Sequence, residues 1–320
     1  MMSLPDFDYK QVIVYRVSGK HETLSFQADN LLIKDEDGKI CLQHSCHRTF
    51  ALFIVGNITL TSVLIKRARQ FGFPILLLGR NCKLDAAFNN HAEGNFLLRR
   101  KQYLMGARSL DLARRILSMK IANQIGLLAA SRYLAEEDHA AIRALRELHC
   151  FDADSPDTLR GMEGTASRVF FKAYFRNMQW TRREPRCRHD TNNLLLDIGY
   201  TYLFNFMDAL LAIYGFDPFC GFFHTFFYQR KSLVCDMVEP FRCIVDHRLR
   251  KSFNLKQIDP DDFYLDKQQY CLRHDREGKY TALFLKAILE RKDELFKFVQ
   301  AYYRWFMKDM PIAGFPEFKI

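Results

Sequence analysis

Three acidic side chains and one histidine could do chemistry, because each lies beside apolar residues instead of in a polar loop. Asp236 and Glu239 are three residues apart in "SLVCDMVEPFR", so on a helix both would project from one face and address one ion. Glu163 lies between two glycines in "RGMEGTAS", and His224 follows the apolar "CGFF". Carboxylates with one imidazole suit Mg²⁺ or Mn²⁺, whereas Zn²⁺ favours more His or Cys.

The local sequence predicts how these groups are placed. We expect Glu163 in the first turn of a helix, where negative charge is favoured, with glycines that let a ligand approach the backbone. Ser232 is expected to cap the helix that carries Asp236 and Glu239, and Pro240 to bend it beside the acids. Spacing alone leaves two interpretations open, which are a metal site and a set of hydrogen-bonded core groups with a solvated acid pair.

The charge balance favours a polyanionic partner, since 47 Lys and Arg against 37 Asp and Glu give a net charge of +10. Two blocks are especially basic: residues 99–132 hold eight cations and one acid, and residues 168–190 hold seven cations and two acids. The second block is interleaved with aromatic residues, a mixture suited to phosphate contacts and base stacking, although a solvated basic face is the alternative. The predicted DNA contacts are Arg168, Arg182, Arg183, Arg230 and Lys231.

Other classes of protein are disfavoured by composition. The nine cysteines have no paired spacing, so we expect reduced thiols and a cytoplasmic protein instead of a secreted disulfide framework. The apolar stretch 194–216 is interrupted by polar residues and is expected to form a buried helix, not a membrane span. No Gly-rich phosphate loop occurs, so ATP use is not expected.

Two patterns of apolar residues divide the chain, and they predict an α+β fold. Residues 1–90 contain short β-prone runs, a "DEDGK" turn, and one short helix between Thr61 or Ser62 and Gly72, which together indicate a sandwich-like β domain. After a linker at 91–96, apolar residues recur every three or four positions, which predicts an all-helical domain over 97–307. Residues 308–320 are expected to be an irregular tail.

Four separated segments resemble, in order and spacing, the CRISPR-associated spacer-acquisition endonuclease and integrase family (Cas-one). They are "GMEGTASRVFFKAYF", "NNLLLDIGYTYL", "GFDPFCGFFH" and "RKSLVCDMVEPFRCIVD". The resemblance implies that Glu163, His224 and Glu239 are metal ligands and that Asp236 supports the catalytic site. It also implies metal-dependent transesterification, in which a 3′-hydroxyl of a short DNA fragment attacks a phosphodiester of the CRISPR repeat.

The same resemblance implies partners. They are double-stranded DNA, a second copy of the chain that dimerises through the β domain, a dimer of such dimers, and a small ferredoxin-like adaptation protein (Cas-two). The segment 225–231, "TFFYQRK", lacks the glycine that often precedes the arginine, which leaves the conformation of this loop open. Two alternative functions stay open as well: a metal-dependent phosphohydrolase of small phosphoesters, and a non-catalytic basic scaffold that binds nucleic acid.

Overall fold

The computed structural model describes residues 9–17, 21–79, 84–88, 95–106, 108–131, 133–224 and 227–320. Most of the predicted linker 91–96, and residues 225–226 of the loop, therefore lie outside the described residues. By its internal contacts the chain divides into two compact units: Met1–Phe96 with Asp208–Phe216, and Leu97–Met207 with Asp217–Ile320. Strands dominate the first unit and helices the second, so the predicted α+β class is confirmed.

The first unit contains two sheets. The larger sheet has the order β1-β5-β6-β7, in which β1 and β6 run parallel to β5 and β7 runs antiparallel to β6. The smaller sheet is the antiparallel meander β2-β3-β4. All seven residues of β5 are buried, as expected for a central strand covered on both faces. The strands are β1 Gln11–Arg16, β2 Thr23–Gln27, β3 Asn30–Lys34, β4 Ile40–Ser45, β5 Thr49–Val55, β6 Ile75–Leu78 and β7 Leu84–Phe88.

One helix, α1 (Ser62–Phe71), packs into the core shared by both sheets through Leu64 and Ala68. It begins after Thr61 and ends at Gly72, whose left-handed φ of 77° suits glycine. Both of these bounds follow the sequence prediction. The buried cluster also takes Ile13, Leu24, Leu31, Ile33, Leu52, Ile54, Phe73 and Ile75 from the strands and loops.

The second unit is mainly helical, but it also contains a hairpin that corrects the expectation of an all-helical domain. The hairpin joins β8 (Phe263–Asp266) to β9 (Gln269–Leu272) through Lys267 and Gln268, which have φ of 46° and 64°. Asn and Gly are the usual residues in a two-residue turn with both φ positive, so the sequence carries no turn signal here.

The remaining helices are α2 Phe96–Tyr103, α3 Arg108–Ala129, α4 Glu136–Arg146, α5 Pro156–Tyr174, α6 Thr191–Tyr214, α7 Ser232–Val238, α8 Arg242–Asn254, α9 Glu277–Glu290 and α10 Lys292–Met307.

Helix α3 is central to the second unit, since it contacts α4, α5, α7, α8 and the turn Glu239–Phe241. Its apolar stripe includes Ile116 and Leu127, and the same stripe carries Lys120 and Asn123. The Asn123 amide donates to the carbonyl oxygens of Pro240 (3.0 Å) and Phe318 (3.2 Å), and so ties the turn and the C-terminal segment to α3. The helix thus places polar groups at defined points of an otherwise apolar interface.

Helix α6 is the one described helix that is long and apolar enough to cross a membrane by length and composition. Of its most apolar 18-residue window, 72% is buried inside the protein, as the sequence predicts for a core helix. All eight cysteines within the described ranges have free thiols.

Candidate active site

Three buried or partly buried groups from separate elements meet at one point of the helical unit. The Lys120 ammonium on α3 donates to Oε1 of Glu163 on α5 at 2.7 Å. The same Nζ lies 2.7 Å from Oε2 of Glu239, which follows α7. Both carboxylates therefore converge on a single positively charged atom.

The position of Glu239 follows from a break in the helix. Helix α7 ends at Val238, residues Glu239–Phe241 form one 3₁₀ turn, and α8 begins at Arg242. Pro240 lacks a backbone N–H and cannot continue the α-helical hydrogen bonds, so the α-helix is interrupted beside the acids, where the sequence predicts a bend. The predicted cap is off by one residue, since Ser232 is the first residue of α7 and Lys231 precedes the helix.

The predicted position of Glu163 in a first helical turn is wrong. Helix α5 begins two turns earlier at Pro156, because Ser155 caps it by accepting a hydrogen bond from the Thr158 N–H (3.2 Å), and proline is favoured at the first position. Glu163 therefore lies in the helix interior and gains nothing from the N-terminal dipole. The expected room beside it is present, since a Cβ added at Gly161 or Gly164 would meet no heavy atom within 4 Å outside its own helix.

Charges of both signs stabilise one another at this point. Burial would lower the pKa of Lys120, but attraction to Glu239 and Glu163 outweighs it and raises this pKa above the ordinary value. Burial would raise the pKa of Glu239, yet Arg242, Lys120 and His224 together lower it to about 2. A buried charge without a partner is strongly destabilising, so these groups stabilise the fold only as a set.

The two oxygens of Glu239 have different surroundings. Oε1 accepts a hydrogen bond from Nε of Arg242 at 3.0 Å. Oε2 is buried and faces the Lys120 ammonium at 2.7 Å. Each oxygen of this buried carboxylate is therefore matched by a side-chain cation.

Asp236 organises the loop that carries His224. Its Oδ2 accepts the backbone N–H groups of Phe222 (2.6 Å) and Phe223 (3.0 Å), and its Oδ1 accepts the N–H of His224 (2.9 Å). Oδ1 also contacts the imidazole Nδ1 of His224 at 2.6 Å. An imidazole whose Nδ1–H donates to a carboxylate presents Nε2 as the nitrogen that can bind a metal.

Gly221 fits tightly against this arrangement. A Cβ at this position would lie 2.6 Å from Oδ2 of Asp236 and 2.7 Å from the backbone carbon of Ser232. Only glycine therefore allows the loop to approach α7 closely enough for its N–H groups to reach the carboxylate.

A second layer lies behind Arg242. Its guanidinium stacks over the ring of Tyr200 (4.7 Å to the centroid), and the Tyr200 hydroxyl donates to Asp246. Burial raises the pKa of Asp246 to about 7, although the Tyr200 hydrogen bond and Arg242 oppose this. Burial together with the Asp246 charge also raises the pKa of Tyr200.

The cations predicted to contact DNA have unlike surroundings. Arg168, on the helix that carries Glu163, is exposed, and the side chain of Arg182 is 77% exposed. Arg183 is 14% exposed and is held by Asn193 (2.7 Å) and Asp197 (2.5 Å). Arg230 and Lys231 are half-buried beside the start of α7. A solvent-facing surface therefore exists around the first two of these cations.

The first basic block is used largely inside the protein. Lys101 and Arg108 pair with Asp309, Arg114 donates to the Ala153 carbonyl and pairs with Asp111, and Arg115 pairs with Glu317. Lys120, counted with this block in the sequence, is buried between carboxylates. The block therefore contributes less to a free basic surface than its charge count implies.

Sequence reasoning found the acids but missed Lys120. The sequence gives one indication that Lys120 is buried. Its spacing from Ile116 and Leu127 places it, like Asn123, on the apolar stripe of α3. Of the predicted metal ligands, Glu163 and Glu239 meet at Lys120, while His224 pairs with Asp236. Among the described residues, no three His, Cys, Asp or Glu side chains are gathered closely enough to hold a metal ion as they stand.

The sequence matches one family model, that of the CRISPR associated protein Cas1, over residues 15–286. A relative from Moorella thermoacetica, named CRISPR-associated endonuclease Cas1 1, is 31% identical over 264 residues, which cover 76% of this chain and 74% of the relative. A relative of the same name from Thermodesulfovibrio yellowstonii is 29% identical over 276 residues, covering 82% and 87%.

Solved structures share the fold. A chain of a Cas6-RT-Cas1–Cas2 complex superposes with a TM-score of 0.82 at 21% identity; the match covers 97% of this chain and 36% of that longer one. A casposase bound to an integration product gives a TM-score of 0.76 at 17% identity, covering 97% and 94%. At these identities the likeness supports the fold alone.

Proposed function

The chain belongs to the Cas1 family of CRISPR-associated proteins, and we propose that it is an endonuclease and integrase of CRISPR adaptation. In this proposal it joins the 3′-hydroxyl ends of short DNA fragments to the CRISPR repeat by transesterification. The observation that carries the proposal is the convergence of Glu163 and Glu239 on one cationic atom, beside a helix face left open by two glycines.

The donor set fits a hard divalent ion, Mg²⁺ or Mn²⁺. Glu163 and Glu239 would hold it together with His224, since both carboxylates converge on one point and Asp236 occupies Nδ1 of His224, which leaves Nε2. When bound, such an ion neutralises a phosphodiester oxygen and lowers the pKa of the attacking hydroxyl.

The remaining polar groups position these ligands. Asp236 fixes the imidazole of His224 and the loop before it through four contacts. Arg242 donates a hydrogen bond to Oε1 of Glu239, and its positive charge keeps this carboxylate ionised. Together they hold two ligands from separate segments in fixed orientations, which is what a reaction between two DNA ends requires of its site.

The proposed DNA contacts begin with exposed cations on the helix that carries Glu163. Arg168 and Lys172 are four residues apart and both exposed on α5, so they form one stripe on the helix of Glu163. Arg182, Arg230 and Lys231 extend the proposed surface. Because phosphate contacts release counter-ions, DNA affinity should fall steeply with salt.

Two protein partners are part of the proposal. A structural relative is described as a complex of Cas1 with Cas2, and we infer a small ferredoxin-like partner of that kind for this chain. A homodimer formed through the β unit, and a pair of such dimers, would place two sites on one DNA. Sedimentation of the protein alone and with this partner tests both inferences.

Strand rejoining on branched DNA is the direct test. A DNA that mimics a half-integrated fragment is incubated with Mn²⁺ or with chelator, using the wild type, Glu163→Gln, and the exposed Glu290→Gln as a matched control. We expect metal-dependent rejoining, a loss of at least about 10²-fold in Glu163→Gln, and no change in the control.

Each other outcome points elsewhere. A wild type that ignores branched DNA but hydrolyses small phosphoesters would indicate a phosphohydrolase. DNA binding without rejoining, unchanged in Glu163→Gln, would indicate a basic scaffold. Rejoining that persists in chelator would exclude the divalent ion from the reaction.

A further inference from the structure

Lys120 is the least expected group in the site. Its side chain is 8% exposed, it lies on the apolar stripe of α3, and its ammonium contacts Glu163 and Glu239 at 2.7 Å each. Lysine is rarely buried unless it is paired, and here both partners are the carboxylates that the proposed function assigns to a divalent ion. One cation of the chain therefore stands where the two ligands converge.

Lys120 bridges the two carboxylates. Its ammonium donates a hydrogen bond to Oε1 of Glu163 and lies equally close to Oε2 of Glu239, at 2.7 Å in both contacts. The other oxygen of Glu239, Oε1, accepts a hydrogen bond from Arg242 instead of Lys120. Glu239 thus keeps Arg242 as a cationic partner when the contact with Lys120 is released.

We propose that Lys120 is a built-in counter-ion of the metal-free site, and that a divalent ion competes with its ammonium for Glu163 and Glu239. This inference rests on the proposed function, because it concerns the ion that the function requires. It assigns to Lys120 a role distinct from that of a ligand: it keeps two buried carboxylates together before the ion arrives.

Two consequences follow from the competition. Without a divalent ion, Lys120 neutralises Glu163 and Glu239. The protein can therefore fold without metal, because no buried carboxylate is left without a counter-charge. With the ion present, part of its binding free energy is spent on displacing the ammonium, which weakens the apparent affinity. Removing the ammonium should therefore strengthen ion binding, whereas removing a ligand weakens it.

Calorimetric titration of Mn²⁺ into chelator-treated protein without DNA tests this directly. The variants are Lys120→Met, which removes the charge and keeps the length of the side chain, and Lys101→Met as a matched control. Lys101 is also a paired lysine, bonded to Asp309 and to the Met307 carbonyl. We expect Lys120→Met to bind Mn²⁺ at least about tenfold more tightly than the wild type, and Lys101→Met to bind with unchanged affinity.

Thermal unfolding supplies a second readout. In chelator, Lys120→Met should unfold at a lower temperature than Lys101→Met, and Mn²⁺ should raise its midpoint more than it raises that of the wild type. Equal or weaker Mn²⁺ binding by Lys120→Met overturns the inference while leaving the proposed function intact. Absence of Mn²⁺ binding in every variant overturns both.

A measurement on the wild type covers the case in which Lys120→Met does not fold. Lysine acetylation is followed by mass spectrometry with and without saturating Mn²⁺, with Lys101 as the internal reference. Displacement from the carboxylates should increase the labelling of Lys120 relative to Lys101. A ratio that stays constant while Mn²⁺ is bound would show that the ammonium is not displaced.

Discussion

On the loop side of the site, Asp236 accepts four contacts from three consecutive residues, Phe222, Phe223 and His224, whereas on the side of Glu163 the two oxygens of Glu239 face the side-chain cations Arg242 and Lys120. The glycines differ in the same way. Gly221 on the loop side has no room for a Cβ, while Gly164 on the helix side faces open space. The two acids are three residues apart, yet backbone N–H groups hold Asp236 and side-chain cations hold Glu239. Asp236 therefore serves to fix the loop, and Glu239 is the acid whose cationic partner can be exchanged.

Substitution of Asp236 should have the largest effect on stability. In Asp236→Asn an amide NH₂ replaces one carboxylate oxygen that accepts hydrogen bonds. The NH₂ group would then oppose N–H groups of the loop, and His224 would lose the negative charge of its partner. We expect the free energy of unfolding to fall by about 3–5 kcal/mol, measured by urea denaturation. A loss below about 1 kcal/mol, with DNA rejoining abolished, would indicate that Asp236 acts in the reaction and is not needed to hold the loop.

Gly221→Ala is the steric counterpart of that change. Its Cβ would overlap Oδ2 of Asp236 and the backbone of Ser232, so the loop must move away from α7. We expect a loss of about 1–3 kcal/mol in urea denaturation, together with weaker rejoining, because His224 moves with the loop. Unchanged stability would mean that the loop is not held in place by this carboxylate.

The helix break beside Asp236 and Glu239 and the open space beside Glu163 were predictable because they depend on local sequence, whereas the start of the helix that carries Glu163 was predicted too late. Glycines around Glu163, the i, i+3 spacing of Asp236 and Glu239, and Pro240 all act within a few residues. Lys120 was not predictable, since its role arises only when α3, α5 and the end of α7 meet. The hairpin at 263–272 was missed for another reason: its turn residues take an unusual backbone conformation without the residues that favour it.

Charge distinguishes a further pair of buried carboxylates. The pKa of Glu239 is lowered to about 2, so its stabilising contribution is present above the unfolded pKa near 4.5 and is lost as pH falls toward 2. Burial raises the pKa of Asp246 to about 7, so the folded state keeps a proton that the unfolded chain releases near pH 4. Stability therefore falls as pH rises through this interval.

The slope due to Asp246 should be at most about 1.4 kcal/mol per pH unit between roughly pH 4 and 7. Asp246→Asn carries no titrating proton, and we expect this slope to disappear when urea denaturation is repeated across the interval. Tyr202→Phe is a suitable control, because its hydroxyl bonds Thr281 and not Asp246. A variant with the same slope as the wild type would assign the proton to another group.

The smallest predicted effect concerns the open helix face at Gly164, next to Glu163. Gly164→Ala places a methyl group where no heavy atom outside its own helix lies within 4 Å, so it should stabilise α5 by up to about 1 kcal/mol through helix propensity. If DNA approaches the backbone beside Glu163, the same methyl group should slow rejoining by about tenfold, because small misplacements at a reacting centre are costly. Gly126→Ala on α3 is the matched control, since its Cβ would make an ordinary 3.5 Å contact with Ile320. Stability that rises in both variants while rejoining falls only in Gly164→Ala would locate the reacting DNA on the helix side. Equal rejoining in both variants would mean that DNA does not contact the helix face at Gly164. The DNA would then have to reach Glu163 and Glu239 from another direction.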